Sequence, residues 1–585
     1  MADVNKVSEN ANFFEAQKKI LGHPSALFIL FFTEMWERFS YYGMRALLVL
    51  FLVSSITDGG YGWERSDALG LYALYTGLVY FTPLFGGIIA DKFLGYRRAV
   101  VIGAFVMALG HLFMALEIPI FFYLGLTALI LGNGLFKPNI SSMVGQLYSD
   151  EAKKDGAYTI FYMGINAGAF LGIMLCGYIG ETVGWSYGFG LAMLFMIAGA
   201  VQFLLSGKMF GTVGLKPTND GIADKGLADT NPITESNSKR FTTSGIIALV
   251  VGVAIYFLGS MIPDFHSAAS NLSLVNTIFM PSIILGAFTG IISFIVSDPG
   301  LDKVERDRVW VIVILTFFTI FFWWAFEQAG GSMTIFASDY TSRDLVGSSA
   351  MIFKIFNAIL TIVPLVVITW VLSKLIKATF KDVGFASIVL GFSFVIIWAI
   401  VIWMLYTQFQ NNETKVPASW FGILNSFFII AFAPMFSKFW DLKIIRSGPL
   451  KFALGLALLA TGFAILAWGS AGIPQGAKTA SVSMMWLILA YLFHTLGELC
   501  LSPVGLSYVS KLAPLRLIGL MFGVFFIANF IANFAGGITG SYIDKIVESS
   551  SMSTFFLIFT VVPAGAAFVL VLLNGTLKKM MHGVE

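Results

Sequence analysis

The chain has 585 residues, of which 57% are hydrophobic and only 12% are charged, and its mean hydropathy is +0.83. Soluble domains carry about 25% charged residues, so this composition predicts an all-α, polytopic membrane protein and excludes a large soluble enzyme. The net charge of +3 argues against a nucleic-acid partner, and the two cysteines, Cys176 and Cys500, lie in apolar segments, which excludes a disulfide or metal framework.

Apolar runs long enough to span a bilayer predict sixteen membrane helices. The first six are predicted at 24–55, 66–90, 97–116, 119–145, 156–180 and 186–208. A polar stretch at 211–240, rich in Gly, Asp, Asn, Thr and Ser, is predicted to be a linker. Two plain apolar spans follow at 243–263 and 276–297. The remaining eight are predicted at 309–338, 349–376, 384–407, 417–440, 449–470, 484–511, 516–545 and 554–577.

Under this count most lysines and arginines of the loops fall on one side of the membrane, and the other side holds acidic or neutral loops such as the one at 58–67. This asymmetry places both termini in the cytoplasm, so we expect residues 1–23 to be cytoplasmic and the protein to lie in the cell (inner) membrane. Residues 24–210 are predicted to form one six-helix bundle and residues 309–585 a second. Residues 211–308 hold the linker with two extra spans. An extra pair near 349–407 is interpreted as a peripheral hairpin, to which the sequence assigns no role.

Four ionisable side chains interrupt the first apolar run. Each costs about 3 kcal/mol at the centre of a bilayer, so the four need compensation. Helical geometry places them on one stripe with an aromatic ring, while Trp36 and several leucines lie opposite, so the helix can present one face to lipid and the other to a polar interior. The stripe consists of Glu34, Glu37, Arg38, Tyr41 and Arg45, with Tyr42 at its edge. Two interpretations are open: an ion-pair set that fixes helix packing, or a site for a charged substrate and a proton.

The pattern E-x-x-E-R-F-x-Y-Y-G-M-R at 34–45 resembles the first-helix signature of the proton-dependent oligopeptide transporter family, a branch of the major facilitator superfamily. The loop at 87–98 is similar to the G-x-x-x-D-[RK]-x-x-G-x-R-R loop of that superfamily. The resemblance implies a major facilitator fold of two six-helix bundles plus extra transmembrane helices. It also implies proton-coupled symport of di- and tripeptides by alternating access.

Further motifs extend this resemblance to both halves of the chain. Residues 132–139 resemble the family's G-x-G-x-x-K-P-N, and 161–170 its F-G-I-N-x-G-A-F. Later segments resemble the motifs of the seventh, eighth, tenth and eleventh helices; they are 324–328, 420–434, 497–507 and 516–526. Three positions depart from the family pattern: Gly422 replaces a Gln, Ser426 a Pro and Phe525 a Trp.

The ionisable groups at membrane depth suit a zwitterion. Arginine offers a bidentate fork to a carboxylate, so Arg38, helped by Lys137, is predicted to bind the peptide's C-terminus. The resemblance implies that Glu498, with Asn166 and Asn425, holds the amino end. Tyrosines would form walls that tolerate many side chains. The predicted substrate-binding residues are Arg38, Tyr41, Tyr42, Arg45, Tyr75, Tyr80, Lys137, Asn166, Glu327, Asn425, Glu498 and Ser502.

Protons are the predicted coupling ion, and no other cofactor and no metal is expected. Protonation of Glu34 or Glu37 would loosen Arg38 and free it for a peptide carboxylate. The predicted coupling residues are Glu34, Glu37, Arg38, Lys137 and Glu327. Two ion pairs between the halves, Arg45–Glu327 and Lys137–Glu498, are expected to form and break as the protein alternates. The second span contains no histidine, so the first-helix acids would carry the proton alone.

Other classes of function fit less well. An ion channel would need a pore-lining ring or filter motif, and a membrane enzyme would need a nucleophile–base pair or metal ligands. The five histidines are not paired at ligand spacing. A closer alternative is proton-coupled transport of nitrate or another small anion on the same fold, although an anion gains nothing from Glu498. The expected partners are di- and tripeptides and membrane lipids, and the expected state is a monomer.

Overall fold

The computed structural model describes residues 13–148, 151–216, 235–260, 280–442, 445, 447–514 and 517–584. Most of these residues are helical, and thirteen of the described helices are long and apolar enough to cross a membrane. The predicted fold class, an all-α protein that crosses the membrane many times, is confirmed. The 29-residue helix Ser25–Val53 rises roughly 43 Å, which also exceeds the thickness of a bilayer core, but it carries the four charged side chains noted above.

Six helices of 20 residues or more lie among the described residues before 217, each within a few residues of its predicted span. They are α1 Ser25–Val53, α2 Arg65–Ile89, α3 Tyr96–Ala115, α4 Pro119–Gln146, α5 Glu151–Thr182 and α6 Trp185–Leu205. A two-residue turn precedes α1 and joins strands β1 Lys19–Ile20 and β2 His23–Pro24, which pair antiparallel. Leu21 and Gly22 have φ angles of 50° and 84°, as this type of tight hairpin turn requires.

Nine helices of 17 residues or more follow in the described part of the chain. They are α7 Glu235–Ser260, α8 Met280–Val296, α9 Lys303–Phe326, α10 Gly347–Gln410, α11 Ile423–Asp441, α12 Gly448–Gly469, α13 Met485–Leu512, α14 Ile518–Ser541 and α15 Met552–Met580. Most of the predicted linker, 217–234, lies outside the described residues. The loop between α7 and α8, residues 261–279, lies outside them too, as does Arg516 of the eleventh-helix motif.

Helix α10 is folded back on itself. Its 64 residues are helical except at Val383, where φ is −135° and ψ is 51°. Residues on either side of this position pair symmetrically: Trp398 donates to the Thr369 hydroxyl at 3.1 Å, and the Asn357 amide donates to Gln408 at 2.9 Å. The two arms therefore run antiparallel and form a helical hairpin. At its base, β3 Asp344–Val346 pairs antiparallel with β4 Glu413–Lys415.

Contacts divide the chain into two compact units. The first unit comprises Met1–Phe51, Thr82–Ile222 and Arg343–Ser426, and the second comprises Leu52–Phe81, Ala223–Ser342 and Phe427–Glu585. In the first unit α3 packs on α4 and α6, and hairpin α10 packs on α5 and α6. In the second unit α12 packs on α13 and α15, while α7 packs on α8, which packs on α9 and α14. Each unit therefore carries one of the extra helix pairs.

Glycines set how closely the helices approach. A Cβ at Gly103 of α3 would lie 2.6 Å from the Gly132 carbonyl oxygen of α4, and one at Gly110 would lie 2.8 Å from the Gly125 carbonyl oxygen. No side chain fits at either contact. The backbones of α3 and α4 therefore touch directly, as small residues allow in membrane helices.

The expectation that α1 presents a face to lipid is wrong. Trp36, opposite the charged stripe, is completely buried. Its ring stacks on Phe195 of α6 at 4.8 Å and meets Phe394 of the α10 hairpin edge-on at 5.5 Å. The hairpin inserted much later in the chain covers this face, which a pattern within α1 alone cannot indicate.

Candidate functional site

The charged stripe of α1 forms a compact ion cluster. Glu34, Glu37 and Arg38 are 1%, 0% and 4% exposed. Arg38 Nε donates to Glu34 Oε1 at 2.7 Å, and Glu37 Oε2 lies 2.9 Å from the same nitrogen. One N–H group therefore faces two carboxylates within a single helical turn.

The cluster leaves polar atoms unsatisfied within the described part of the chain. Glu34 Oε2 and both Glu37 oxygens are buried without a hydrogen bond, although Glu37 Oε2 is in ion-pair contact with Arg38. A buried carboxylate oxygen that lacks a hydrogen-bond partner is costly, so a purely structural ion pair would be expected to satisfy these atoms. These carboxylate oxygens without hydrogen bonds favour the functional interpretation of the stripe over the packing interpretation.

Lys137 joins this cluster electrostatically, because it lies close enough to act on Glu37. Two carboxylates, one guanidinium and one ammonium sum to no net charge. One added proton would leave a single positive charge in excess. The group can therefore bind a proton and a negatively charged ligand group together without a change of net charge.

Tyrosines line the stripe next to Arg38. The Arg38 guanidinium lies 6.0 Å from the Tyr41 ring centre, within cation–π range. Tyr41 meets Tyr42 edge-on at 5.1 Å. Tyr41 is buried, whereas Tyr42 and Arg45 are partly exposed. The sequence thus correctly places Tyr41 beside Arg38, and the partly exposed end of the stripe lies toward Arg45.

The motif around Lys137 also packs α4 against α2. A Cβ at Gly134 would lie 2.8 Å from Thr82 Cβ, so only glycine fits there. The Asn139 side chain donates to Leu135 O at 2.7 Å and to Gly86 O of α2 at 3.3 Å. The glycine and asparagine of the motif thus position the half-buried Lys137 rather than bind a ligand themselves.

Helix α5 lies directly against the ion cluster. A Cβ at Gly168 would be 2.8 Å from Arg38 Cβ, and one at Gly164 would be 3.0 Å from the Phe31 carbonyl oxygen. Asn166, between these glycines, is buried and donates to Tyr162 O at 3.0 Å. The glycines therefore serve the close approach of α1 and α5, and the amide of Asn166 is tied to its own helix.

In the second unit, Glu327 is held where α9 ends. The helix stops at Phe326, and residues Glu327–Gly330 form a 3₁₀ turn, so the predicted span 309–338 is not one continuous helix. Trp324 Nε1 donates to Thr539 Oγ1 at 3.0 Å, and Gln328 Nε2 donates to Gly536 O at 2.7 Å. Both acceptors belong to α14, so Glu327 is buried between two anchored neighbours.

The other predicted residues have varied surroundings. Tyr75 is buried and Tyr80 half-buried, on either side of Gly77, which packs against Phe530. Glu498 and Asn425 are half-buried. The Ser502 hydroxyl is buried without a hydrogen bond to any described residue.

The predicted site residues divide between the two units. Those of the first unit are Glu34, Glu37, Arg38, Tyr41, Tyr42, Arg45, Lys137, Asn166 and Asn425. Those of the second are Tyr75, Tyr80, Glu327, Glu498 and Ser502. The pairs Arg45–Glu327 and Lys137–Glu498 each take one residue from each unit and stay predictions.

An ion network at the start of α2 escapes the sequence analysis. Arg65 donates to Asp339 at 2.6 Å and to Asp544 at 2.8 Å, and also to the Tyr340 hydroxyl and to the Lys478 carbonyl oxygen. All of these residues belong to the second unit. A signal does exist, because Arg65 is the single base in the segment 58–67, which is otherwise acidic or neutral.

Comparison with known proteins agrees with this architecture. The model of the POT family matches residues 97–414 and 385–557. A peptide transporter of Yersinia enterocolitica, YePEPT, is 31% identical over 97% of both chains. A di-/tripeptide transporter of Lactococcus lactis subsp. cremoris is 28% identical over 98% of this chain and 100% of its own. A crystal structure of a mutant peptide transporter POT in complex with alafosfalin superimposes with a TM-score of 0.71 and 27% identity, covering 99% of each chain.

Proposed function

Because the chain belongs to the POT family, we propose that it is a proton-coupled symporter that imports di- and tripeptides across the cell membrane by alternating access. The observation that carries this proposal is the α1 cluster, in which one Arg38 nitrogen faces two buried carboxylates. Such a group responds to a single proton with a change of net charge. Coupling of a proton to a charged substrate needs a response of this kind.

The coupling step starts with Glu34 and Glu37 ionised and Arg38 bound to both. A proton from the side of higher proton concentration neutralises one carboxylate. Arg38 then loses one of its two anionic neighbours, and its guanidinium can accept the carboxylate of a peptide. Release of the proton to the cytoplasm restores the original ion pairs and expels the peptide carboxylate, so proton and peptide move together.

The substrate is held at both of its charged ends in this proposal. Arg38 and Lys137 bind the carboxylate, because a guanidinium fork and an ammonium are both strong donors to an anion. Glu498 binds the amino group, with Asn166 and Asn425 as neutral partners. Tyr41, Tyr42, Tyr75 and Tyr80 supply aromatic surface for the side chains. Arg45, Glu327 and Ser502 complete the proposed substrate site.

A peptide is favoured over nitrate or another small anion. An anion would use Arg38 and Lys137 but would leave Glu498 without a ligand. The relatives are named as peptide and di-/tripeptide transporters, and the similar crystal structure holds alafosfalin. Both termini are proposed to lie in the cytoplasm, protons are the proposed coupling ion, and the working unit is proposed to be a monomer.

The experiment is uptake of a labelled dipeptide into proteoliposomes, with and without an inward proton gradient. We expect accumulation only with the gradient, and competition by unlabelled di- and tripeptides but not by nitrate. Equal accumulation without a gradient would contradict proton coupling. Gradient-driven uptake of nitrate without uptake of peptide would contradict the substrate.

A further inference from the structure

A basic cavity lies between the segment that precedes α1 and the first arm of hairpin α10. Its volume is about 530 Å³. It is lined by Lys18, Lys19, Ile20, Leu21, Trp370, Lys374, Lys377 and Ala378. All of these residues belong to the first unit, and none is part of the proposed transport site.

The charge of this cavity is uncompensated. Among the described residues no carboxylate lies within ion-pair distance of its lysines; the nearest acids along the chain, Glu15 and Asp382, are not paired with them. Lys19 Nζ donates to the Phe14 carbonyl oxygen at 2.8 Å, and Lys374 Nζ lies 5.4 Å from the Trp370 ring centre. The lysines of this cavity therefore have no described carboxylate as a partner.

Burial and the positive charge near this cavity lower the pKa of a neighbouring histidine. His23, in β2 beside the cavity, has a pKa below its ordinary value, because of burial and then because of the Lys19 charge. Its Nδ1 lies 2.8 Å from the Tyr148 hydroxyl. The cavity therefore disfavours further positive charge and is suited to an anion.

An apolar stripe leads into the cavity along the first arm of α10. Its members recur every three or four residues and so share one helix face, and each is 48% or more exposed. They are Ile352, Phe356, Ile359, Val363, Val366 and Trp370. The next positions on this face are Lys374 and Lys377.

The dimensions of the stripe match the membrane. From Ile352 to Trp370 the helix rises roughly 27 Å, at about 1.5 Å per residue, which is close to the thickness of the hydrocarbon core. Trp370 then lies at the membrane interface, where tryptophan is enriched, and the lysines lie at the level of the headgroups. One helix face therefore offers an apolar path that ends in a cluster of positive charge.

We propose that this cavity binds the phosphate headgroup of an anionic phospholipid, whose acyl chains lie along the Ile352–Trp370 stripe. Lysine ammonium groups bind phosphate as point charges, and basic pockets between membrane helices suit anionic headgroups. A free phosphate would use the lysines but not the stripe. The bound lipid links the β1–β2 turn, only a few residues before α1, to the hairpin, and so stabilises the first unit.

The test measures the unfolding temperature of the full-length protein in neutral detergent, with added phosphatidylglycerol, phosphatidylcholine or inorganic phosphate. The variant is Lys374→Gln combined with Lys377→Gln. The matched control is Lys578→Gln combined with Lys579→Gln, which removes the same charge from the end of α15. Native mass spectrometry counts the lipids that remain bound in each protein.

We expect phosphatidylglycerol to raise the unfolding temperature of the wild type and of the control, and phosphatidylcholine and phosphate to raise it little. The variant should lose at least half of the phosphatidylglycerol shift and one tightly bound lipid. A full shift in the variant, an equal shift with phosphatidylcholine, or an equal shift with phosphate would overturn the proposal. If the double variant is unstable without lipid, each single substitution provides the same comparison.

Discussion

At the scale of single residues, the ion cluster depends on one arginine that serves two acids. Spacing along α1 predicts that Glu34, Glu37 and Arg38 share a stripe. Spacing does not predict that the same Nε nitrogen lies within ion-pair distance of both carboxylates, or that α5 lies against Arg38 at Gly168. These depend on the rotamer of Arg38 and on helices that pack around it.

The Glu37→Gln substitution tests this cluster. It removes the titrating oxygen but keeps the shape, so the α1 cluster becomes permanently similar to its protonated state. We expect gradient-driven accumulation of dipeptide to fall to background, while exchange of internal for external peptide persists. Both are measured in proteoliposomes, with Glu64→Gln, in an exposed loop, as the control. Accumulation at wild-type strength would show that Glu37 does not carry the proton.

Arg65 provides a second prediction at this scale. The Arg65→Gln substitution removes the positive charge that pairs with both Asp339 and Asp544. Because these side chains are partly exposed, solvent moderates the effect, and we expect a loss of about 1–2 kcal/mol in stability. Thermal unfolding in detergent measures it. The variant Arg65→Lys, which keeps the charge, should recover part of the loss; an unchanged unfolding temperature in both variants would contradict a stabilising role.

At the scale of elements, the sequence predicts the helices well and their neighbours poorly. The lengths of the apolar runs predict the ends of α1 to α6 to within a few residues. Each helix must satisfy its backbone hydrogen bonds internally over the thickness of a bilayer, and this fixes its length. The break after Phe326 is missed, since Gln328 and Trp324 are anchored by α14, more than 200 residues later in the chain. The covering of Trp36 by the α10 hairpin is missed for the same reason.

Of the candidate site, the sequence predicts the residue types and motifs but not which side chains meet. The resemblance places Asn166 at the substrate, and the structure uses the glycines on either side of it to bring α5 against α1. Lys137 is predicted to help Arg38 bind a carboxylate, and the structure places it within electrostatic range of Glu37. Both contacts depend on how helices distant in the sequence pack together. The spacing of residues within one helix does not predict that packing.

The junction between hairpin α10 and α11 gives a prediction for one element. Glu181, at the end of α5, accepts hydrogen bonds from the backbone N–H of Ala418 at 2.8 Å and of Ser419 at 2.9 Å, and one from the Ser419 hydroxyl. The carboxylate thus satisfies the unpaired donors where the helical segment begins, as an N-terminal cap does.

The Glu181→Gln substitution should therefore lower stability by about 1–2 kcal/mol, because an amide accepts at one oxygen and carries no charge. Thermal unfolding in detergent reports the loss. Glu413→Gln, at an exposed strand position, provides the control. If the two variants unfold at the same temperature, Glu181 does not hold this junction.

At the scale of the whole molecule, each compact unit carries an additional helix pair. The pair α7 and α8 belongs to the second unit, and hairpin α10 belongs to the first. The hairpin leaves and rejoins the chain at one place, because Val416 N donates to Arg343 O at 2.9 Å and β3 pairs with β4. Its two ends are therefore already adjacent.

Excision of residues 344–415, with a short Gly-Ser linker from Arg343 to Val416, should leave a protein that folds in membranes and takes up dipeptide. The surface of Trp36 and its neighbours would then contact lipid, which is as apolar as the hairpin it replaces. In detergent the shortened protein should unfold at a lower temperature and lose the shift with phosphatidylglycerol. Uptake in proteoliposomes and thermal unfolding measure both effects. A folded but inactive product would show that the hairpin takes part in transport.

The glycine contacts between α3 and α4 have a mechanical consequence. Where backbone meets backbone, as at Gly103 with Gly132 and at Gly110 with Gly125, no rotatable side chain lies between the helices to absorb sliding. Any relative shift would press carbonyl oxygens against main-chain atoms. We therefore expect the two helices to move as one rigid unit during each transport cycle. The conformational change that transport requires then has to occur at other helix contacts of the protein.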